Sequence, residues 1–381
     1  MTPAQLDYGL FYFGVLGRGG AEVYRMLLDT ARMADREGLK FVSIPERHFH
    51  AFGGAFPNPA VVGAAVATLT ERIEIRAGSV VGPLADALRI AEEWAVVDLI
   101  SGGRAAVSLG SGWSVNDFVL ARAPAADYAR RRELVAAQVE ELRHLWRSGA
   151  VTRENAAGNE IHVRAFPAPH AAGPPLWLTA GGSDETFKTA GRLGTNVLTH
   201  MERQDLGMLS ARIAAYRGER SRYGHDPDAG IVTLMQHTLI EGDAARALDA
   251  GAAHLKRYIE AALDLEGTVI RGGGASSGGA PVTLVERRSS DEDDQVVARA
   301  VSRYLGQASL IGDLNACRAR SFEYLAAGVN EIACLVDFIE DEATVGRTVE
   351  GIAALGRSMT AAALSEASHA MIDRFNAVGD R

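Results

Sequence analysis

Residues 39–81 read LKFVSIPERHFHAFGGAFPNPAVVGAAVATLTERIEIRAGSVV, and this stretch contains the unit that decides the fold. Residues 39–45 and 72–80 are short apolar runs rich in β-branched and aromatic side chains, which predicts two strands. The residues between them include a segment beginning near NPAVVGAAVATLT with the composition of a buried helix. A strand, a helix and a second strand in this order predict a βαβ unit with parallel strands.

The same alternation continues along the 381-residue chain. Eight predicted strands are interleaved with helical segments, and only the last pair is reversed, because the helix at 313–328 precedes the eighth strand. This count predicts an α/β fold of the (β/α)₈ TIM-barrel type, with a doubly wound open sheet as the alternative. The predicted strands are 8–14, 39–45, 72–80, 103–112, 174–182, 195–201, 230–240 and 330–338.

Two insertions interrupt the alternation, after the fourth and the seventh strand. The first is a polar, hairpin-like stretch at 151–164, and the second, at about 268–294, is rich in glycine and serine and then in charge. Such a composition buries too little apolar surface to order itself well, so the second insertion is either a mobile lid over the site or a tolerated surface loop. We expect residues 1–360 to form one barrel domain and residues 361–381 a C-terminal helical tail.

Composition and charge exclude several classes of protein. The net charge of −9 and the pI near 5.6 argue against a nucleic-acid surface, which requires a basic stripe. The N-terminal sequence lacks a signal peptide, and no run approaches the roughly 20 apolar residues of a membrane span. Cys317 and Cys334 are expected to be small buried hydrophobes rather than a disulfide. These features predict a cytoplasmic protein without membrane or nucleic-acid partners.

In a barrel of parallel strands, functional side chains lie at the carboxyl ends of the strands. Four polar residues follow the second strand directly: Glu46, Arg47, His48 and His50. One interpretation is a metal site with a carboxylate and two imidazoles as ligands, although the adjacent Arg47 opposes a cation and we expect no metal. A second is a structural histidine that caps a loop. The third, which we favour, is a set of polar groups at the mouth of a pocket walled by Phe49, Phe52 and Phe56.

Two glycine-rich turns follow later strands. In LTAGGSDETF, residues 178–187, a strand runs through Gly181, Gly182 and Ser183 into a helix, so free N–H groups and the helix dipole converge where a phosphate can bind. A helix N-cap at Ser183 or Asp184 explains the same residues without a ligand. SLGSGWSVNDF, residues 108–118, offers a second close approach to a ligand. No dinucleotide fingerprint, P-loop or nucleophile elbow occurs in a suitable context.

With these residues in view, the chain resembles the flavin-dependent monooxygenases of the bacterial-luciferase superfamily, in the luciferase-like group found in natural-product biosynthesis. The resemblance follows family order and covers most of residues 7–340 apart from the insertion. The stretches that carry it are LFYFG, PERHFHAFGGAFPNPAVVGAAVA, ERIEIRAGSVV, AEEWAVVDLISGGR, SGWSVNDFVLA, LWLTAGGSDETFKTAGRLGTNVLTH and EIACLVDF.

This resemblance implies a luciferase-type barrel that binds reduced FMN with its ring in the barrel mouth. Gly78 and Ser79 fall where such enzymes often carry a non-proline cis peptide beneath the flavin. Ser111 falls where luciferase uses a phosphate-binding arginine. The turn implied to hold the FMN phosphate is formed by Gly181, Gly182 and Ser183, and the implied neighbours of the ring or ribityl chain are Trp113, Asn116 and Thr199.

The resemblance also implies the chemistry. Reduced FMN reacts with O₂ to give a C4a-hydroperoxide, which oxygenates a small or carrier-bound metabolite by C- or N-hydroxylation or by Baeyer–Villiger insertion. A separate NAD(P)H-dependent flavin reductase supplies the reduced FMN, and the enzyme is expected to be a homodimer. Glu46, Arg47, His48 and His50 then line the substrate side of the flavin, where Arg47 binds an anionic group or the peroxide and His48 exchanges a proton.

Two other functions are open. One is a deazaflavin-dependent oxidoreductase on the same barrel, and the other is a flavin-binding accessory subunit of a heterodimer. The chain also departs from the family pattern at Ser114, at the pair Asp86 and Ala87, and at Gly82. These positions lie on the cofactor or substrate side, so the identity of the substrate is not inherited from the resemblance.

Overall fold

We describe a computed structural model that covers residues 6–14, 19–170, 173–202, 204–271 and 290–379. Eight parallel strands form a closed barrel, which confirms the predicted TIM-barrel type and makes the open doubly wound sheet wrong. The barrel strands are β1 (Asp7–Phe11), β2 (Phe41–Ile44), β3 (Glu74–Val81), β4 (Ala105–Gly110), β7 (Leu176–Ala180), β8 (Asn196–His200), β9 (Val232–Ile240) and β11 (Glu331–Leu335).

Helices surround this barrel and connect its strands. Among the described residues, no helix is both long enough and apolar enough to cross a membrane. The helices are α1 (Ala21–Glu37), α2 (Pro59–Ala67), α3 (Ala87–Ser101), α4 (Pro124–Trp146), α5 (Asp184–Leu193), α6 (Leu206–Arg222), α7 (Ala244–Arg271), α8 (Ser290–Gln307), α9 (Leu314–Ala326) and α10 (Glu342–Gly379).

The βαβ unit at residues 39–81 folds as its sequence predicts. β2 pairs in parallel with β3, and α2 connects them. The helix begins at Pro59 because the side chain of Asn58 accepts hydrogen bonds from the N–H groups of Ala60 and Val61, and proline is favoured in the first helical turn. This local chemistry fixes where the loop after β2, which carries the candidate site residues, has to end.

The structure adds elements that the sequence analysis did not predict. The polar stretch after α4 is the antiparallel hairpin of β5 (Val151–Glu154) and β6 (Glu160–Val163). A further strand, β10 (Ser309–Gly312), was missed, and it pairs with the C-terminal half of β9. Four residues between two helices, of which Leu310 and Ile311 are the large apolar ones, give no periodic signal of their own, so only tertiary pairing reveals this strand. β10 also explains why α9 precedes the last barrel strand.

Parts of the predicted domain organisation stay predictions. Residues 272–289 of the insertion lie outside the described residues. Whether the insertion is a lid over the site or a surface loop therefore stays a prediction. α10 continues without interruption through Gly379, so a boundary near residue 360 is not marked by the end of a helix. Cys317 and Cys334 are both buried and free, as predicted.

A buried ion cluster occupies the barrel interior near the amino ends of the strands. The Arg76 guanidinium donates to both carboxylate oxygens of Glu331 at 2.5 and 3.0 Å, and to Glu74 at 2.8 Å. It also lies over the rings of Phe41 and Trp177, at 3.9 and 4.3 Å from their centroids. One cation therefore joins strands from opposite parts of the barrel wall, and its charge is matched by two carboxylates.

We expect Arg76→Met to lower the free energy of unfolding by about 3–5 kcal/mol, because it leaves the buried Glu331 carboxylate without its counter-charge. Denaturant titration measures the loss. Arg130→Met is the matched control, since Arg130 forms an exposed pair with Glu133 and should change stability by no more than about 0.5 kcal/mol. Equal stability of the two variants would contradict the role given to the cluster.

Candidate active site

The four polar residues after β2 take separate positions at the carboxyl end of the barrel. The Glu46 carboxylate is bonded at both oxygens, with Oε1 at 3.0 Å from His48 Nε2 and Oε2 accepting from the Val81 N–H at 2.7 Å. The Glu46 N–H donates to the Ser79 carbonyl at 3.2 Å. Glu46 therefore joins the loop after β2 to the end of β3 and also orients His48.

The pair of Glu46 and His48 defines a proton-handling group. The two side chains are nearly buried, with about a tenth of each exposed. Because a carboxylate only accepts hydrogen bonds, the short contact assigns the proton of the neutral imidazole to Nε2 and leaves Nδ1 as an acceptor. Histidine is the side chain that ordinarily exchanges protons near neutral pH. The arrangement therefore fixes the imidazole through Nε2 and leaves Nδ1 as its second hydrogen-bonding atom.

His50 is held by its own loop. Its Nδ1 accepts the N–H of Phe52 at 3.1 Å, which corresponds to the loop-capping interpretation of a histidine. The catalytic role predicted for His50 stays a prediction. Over the part of the chain that the structure describes, no group of three His, Cys, Asp or Glu side chains is arranged to hold a metal ion.

Arg47 is enclosed by aromatic rings. Its side chain is buried, with 7% of the residue exposed. The guanidinium carbon lies 4.4 Å from the ring centroid of Phe13, 5.4 Å from that of Trp113 and 5.9 Å from that of Phe52. Nη1 is buried and has no hydrogen-bond partner among the described residues. Burial lowers the pKa of Arg47 below its ordinary value, against the attraction of nearby acidic groups.

Asp117 completes this charged group, although the sequence analysis gave it no role. It is buried, and its Oδ1 accepts a hydrogen bond from the Ser114 hydroxyl at 3.0 Å. Burial raises the pKa of Asp117, although Ser114, His48 and Arg47 act in the opposite direction. Its position in the turn after β4 was the one sign in the sequence that Asp117 could belong to the site. Its closeness to the loop after β2 follows only from the folding of the strands into a barrel.

Between these charged residues and β7, the rim at β3 and β4 presents backbone. The peptide bond between Gly78 and Ser79 is cis, as the resemblance predicts. A Cβ on Gly78 would lie 2.7 Å from the Phe11 ring and 2.9 Å from Ser43 Cβ, and one on Gly110 would lie 2.6 Å from Ser79 Oγ. Gly78 is therefore required by the packing of β3 against β1 and β2, whereas a Cβ on Gly110 would meet only the movable Ser79 hydroxyl; Ser79, which follows the cis bond, is half-buried at this rim.

The turn after β7 has the features of an anion site. Gly182 has a positive φ of 85°, and Ser183 occupies the N-cap position of α5 as predicted. The Ser183 side chain, however, makes no capping hydrogen bond. The Thr186 N–H donates to the Ser183 carbonyl at 3.1 Å, so the N–H groups that a helix start leaves without a partner in the helix are here those of Asp184 and Glu185. The N-cap interpretation therefore does not use the Ser183 hydroxyl, which is available to a phosphate.

Arg212 and Gln204 border this turn and were missed by the sequence analysis. Arg212 donates to Asp184 Oδ1 at 2.6 Å and to Gln204 Oε1 at 2.8 Å. Its hydrogen bond and charge lower the pKa of Asp184, so the acidic residue that begins α5 is paired. Gln204 in turn donates to Thr199 Oγ1 at 3.1 Å, and Thr199 donates to the Ala180 carbonyl at 2.8 Å. The Thr199 hydroxyl is thus bonded between two neighbours.

The remaining predicted neighbours of the cofactor lie in the loop after β4. Ser111 and Asn116 are half-buried, and Trp113 is 40% exposed beside the Arg47 guanidinium. Their contacts with a cofactor stay predictions. The uncapped Ser183 at a helix start fits the phosphate of a flavin, and the cis peptide at Gly78 and Ser79 is the feature that the resemblance implies beneath its ring.

Comparisons with known proteins agree with this geometry. The profile of the luciferase-like monooxygenase family matches residues 7–331. Among curated relatives, the oxygenase component of a flavin-dependent trigonelline monooxygenase from Acinetobacter baylyi is 26% identical over 42% of this chain and 44% of its own. The alkanal monooxygenase alpha chain of Photorhabdus luminescens is 25% identical over 59% of this chain and 61% of its own. The matched region spans about half the length of these relatives.

Solved structures share the barrel over most of their length. Monooxygenase RslO1 from Streptomyces bottropensis has a TM-score of 0.72 at 21% identity, covering 91% of this chain and 98% of its own. The oxygenating constituent of 3,6-diketocamphane monooxygenase from Pseudomonas putida, in complex with FMN, has a TM-score of 0.72 at 15% identity, covering 91% and 96%. An F420-dependent secondary alcohol dehydrogenase reaches 0.66 at 14% identity, covering 91% and 98%. From the family profile, the barrel and the geometry of its rim, the chain belongs to the luciferase-like monooxygenase family, whose members are flavin-dependent enzymes.

Proposed function

We propose that this chain is the oxygenase component of a two-component monooxygenase that uses reduced FMN and O₂. One observation carries the proposal: the same rim of the barrel has the uncapped helix start at Ser183, the cis peptide at Gly78 and Ser79, and the charged group of Glu46, Arg47, His48 and Asp117. The first two features suit a flavin phosphate and ring, and the third suits the handling of charge and protons next to the ring.

Residues at the ends of four strands, β3, β4, β7 and β8, would hold the cofactor. Ser183 and the first-turn N–H groups of α5 bind the phosphate, together with Gly181 and Gly182, whose lack of side chains allows close approach. Gly78 and Ser79 support the ring, with Ser111, Trp113, Asn116 and Thr199 as further neighbours. When bound, reduced FMN supplies the electrons that activate O₂, by way of the C4a-hydroperoxide that the family resemblance implies.

The chain's own residues control protons and water. His48 accepts or returns a proton at Nδ1, and Glu46 keeps the imidazole in the required orientation. Arg47 places a permanent positive charge at the same site, because a guanidinium stays protonated at neutral pH. The rings of Phe13, Phe52 and Trp113 pack around Arg47, which is buried, and its limited contact with water strengthens its electrostatic interactions.

The relatives support the proposed partners. One is described as the oxygenase component of a flavin-dependent monooxygenase and another as an oxygenating constituent, which implies a second component in each system. We propose a separate NAD(P)H-dependent flavin reductase for this chain as well. The substrate is proposed to be a small or carrier-bound metabolite of natural-product biosynthesis, oxygenated at carbon or nitrogen or by Baeyer–Villiger insertion, and the enzyme is proposed to be a homodimer.

A deazaflavin-dependent oxidoreductase is the second candidate, since an F420-dependent dehydrogenase shares the barrel. That reaction moves a hydride and does not consume O₂. Comparing the affinities of the purified chain for FMN and for the deazaflavin F420 separates the two functions, and tighter binding of F420 would favour the dehydrogenase type.

The decisive experiment mixes the protein and anaerobically reduced FMN rapidly with oxygenated buffer. We expect the absorbance of an oxygenated flavin to accumulate before oxidised FMN forms, because the rim isolates the flavin from water. Reduced FMN in the same buffer without protein is the control. Oxidation of the flavin at the rate of this control, with no accumulating species, would contradict the proposed oxygenase activity.

Ser183→Ala tests the phosphate site. We expect this change to weaken FMN binding about tenfold, which corresponds to about 1.4 kcal/mol, the size of a hydrogen bond to a charged group. Binding of riboflavin, which lacks the phosphate, should not change. Calorimetric titration of both flavins measures the effect, and Ser221→Ala on the exposed face of α6 is the matched control. A similar loss for both flavins would place Ser183 away from the phosphate.

His48→Asn tests the proton-handling group. Asparagine can keep a hydrogen bond to Glu46 but cannot exchange a proton. Release of H₂O₂ after O₂ reacts with the bound reduced FMN requires proton transfer, so we expect its rate to change by at least about tenfold. FMN affinity should not change. His162→Asn, in the β5–β6 hairpin, is the control, and an unchanged rate of H₂O₂ release in His48→Asn would remove His48 from the mechanism.

A further inference from the structure

Arg47 is an exception among the buried arginines of this protein. Within the described residues, three arginines are buried: Arg47, Arg76 and Arg220. Arg76 is matched by two carboxylates, and Arg220 donates to the carbonyls of Asp226 and Thr195. Arg47 has a buried Nη1 without any partner in the described part of the chain. A buried guanidinium with an unpaired N–H lowers the free energy of unfolding. We therefore expect such a residue to have a role other than stabilising the fold, such as binding a ligand.

The nearby carboxylates do not satisfy this cation. Asp117 accepts from the Ser114 hydroxyl at 3.0 Å. Asp337 accepts the N–H groups of Phe13 and Gly14 at 2.6 and 2.8 Å. Both carboxylates attract Arg47 electrostatically, but no ion pair joins either of them to Arg47. The charge is therefore attracted to its surroundings while one buried N–H, at Nη1, has no hydrogen-bond partner in the described part of the chain.

The enclosure of Arg47 is built from separate parts of the chain. Phe13 follows β1, Phe52 lies in the loop after β2, and Trp113 lies in the turn after β4. Phe52 also packs edge-on against Tyr258 of α7, with ring centroids 5.0 Å apart, which fixes its orientation. Trp113 is the exposed member of the three, so it forms the side of the enclosure open to solvent. A guanidinium with an unpartnered N–H among aromatic rings, one of which is exposed, has the chemistry to bind an anion carried on a flat ring.

We propose that Arg47 anchors an anionic oxygen on a flat, conjugated ring of the substrate. The proposal rests on the proposed oxygenase function, and it names the substrate class. The planar guanidinium fork matches the oxygens of a carboxylate or of an ionised phenol or enol. The aromatic walls contribute offset or edge-on contacts with the ring that carries this oxygen. The substrate would then be held in the same rim as His48, which neighbours Arg47 in the chain.

This anion site is distinct from the proposed phosphate site. Arg47 follows β2 and Ser183 follows β7, and β3 and β4 lie between these strands in the barrel. A loss of FMN affinity on changing Arg47 would therefore assign the residue to the cofactor and overturn the proposal.

Calorimetric titration of the full chain, with saturating oxidised FMN, tests the proposal with 2-naphthoate, 2-naphthamide and the saturated decahydro-2-naphthoate. We expect the wild-type chain to bind 2-naphthoate at least tenfold more tightly than either comparison compound. The amide has the same shape without the charge, and the saturated acid has the charge without the flat ring. Equal binding of 2-naphthoate and 2-naphthamide overturns the anion assignment, and equal binding of the two acids overturns the flat-ring assignment.

Arg47→Met should remove the preference for 2-naphthoate over 2-naphthamide, and Arg47→Lys should retain part of it, because the charge remains without the planar fork. Arg130→Met, on an exposed face of α4, is the control for the change in net charge and should keep the full preference. An undiminished preference in Arg47→Met overturns the proposal.

Thermal unfolding gives a readout independent of turnover. We expect Arg47→Met to unfold at a temperature equal to or higher than that of the wild type, because an unmatched buried charge has been removed. 2-Naphthoate should raise the unfolding temperature of the wild type and not that of this variant. A marked loss of stability in Arg47→Met would show that the guanidinium has a structural role and would overturn the proposal.

The two proposals fail in different experiments. If the wild type does not bind FMN or react as an oxygenase but binds 2-naphthoate through Arg47, the oxygenase function fails and the anion site stands. If reduced FMN reacts as proposed but the chain binds 2-naphthoate no more tightly than 2-naphthamide, the oxygenase function stands and the proposed substrate class is wrong.

Discussion

The pairing of β8 with β9 closes the barrel, and the geometry of the site depends on that closure. Parallel strands in a closed barrel direct their carboxyl ends to one rim, so loops far apart in the chain become neighbours. The loop after β2 meets the turn after β4 in this way, and the turn after β7 meets α6. The buried cluster of Arg76, Glu74 and Glu331 supports the closure from inside, since one guanidinium joins β3 to β11. The candidate active site at the carboxyl end of the barrel thus depends on the ion pairs of Arg76 with Glu74 and Glu331 near the amino end.

The rim is divided between backbone and charged side chains. At β3, Gly78 has no room for a Cβ because Phe11 and Ser43 fill that space, and the cis peptide to Ser79 follows it. At β2, Glu46 fixes the boundary between the two parts, because its second oxygen accepts the N–H of Val81 at the end of β3. One carboxylate therefore sets both the orientation of His48 and the position of the loop beside the proposed flavin surface. A substitution at Glu46 would alter both at once, which is why His48 is the cleaner position for mutagenesis.

Arg47 illustrates how a functional site can oppose stability. A guanidinium taken from water into an aromatic enclosure keeps its attraction to Asp117 and Asp337, but it forms no ion pair with them. Elsewhere in the described structure, Arg76 is buried with matched carboxylates, as expected of a cation that stabilises the fold. The difference between these two arginines is the physical basis for assigning one to the scaffold and the other to a ligand.

The sequence by itself determined the barrel and the approximate rim, because strand periodicity, helix caps and the order of elements are local properties. The βαβ unit at residues 39–81, the cis bond at Gly78 and Ser79 and the helix start at Ser183 all follow from local patterns or from the family resemblance that they carry. Only the tertiary structure showed that Asp117 belongs with Arg47, that Arg212 pairs with Asp184, and that β10 extends the sheet beside β9. These contacts join residues at least 28 positions apart, and their existence depends on how far each strand is shifted and tilted in the closed barrel. The chemical identity of each residue is written in the sequence, but its burial and its partners, which decide whether a charge stabilises the fold or binds a ligand, are set by packing.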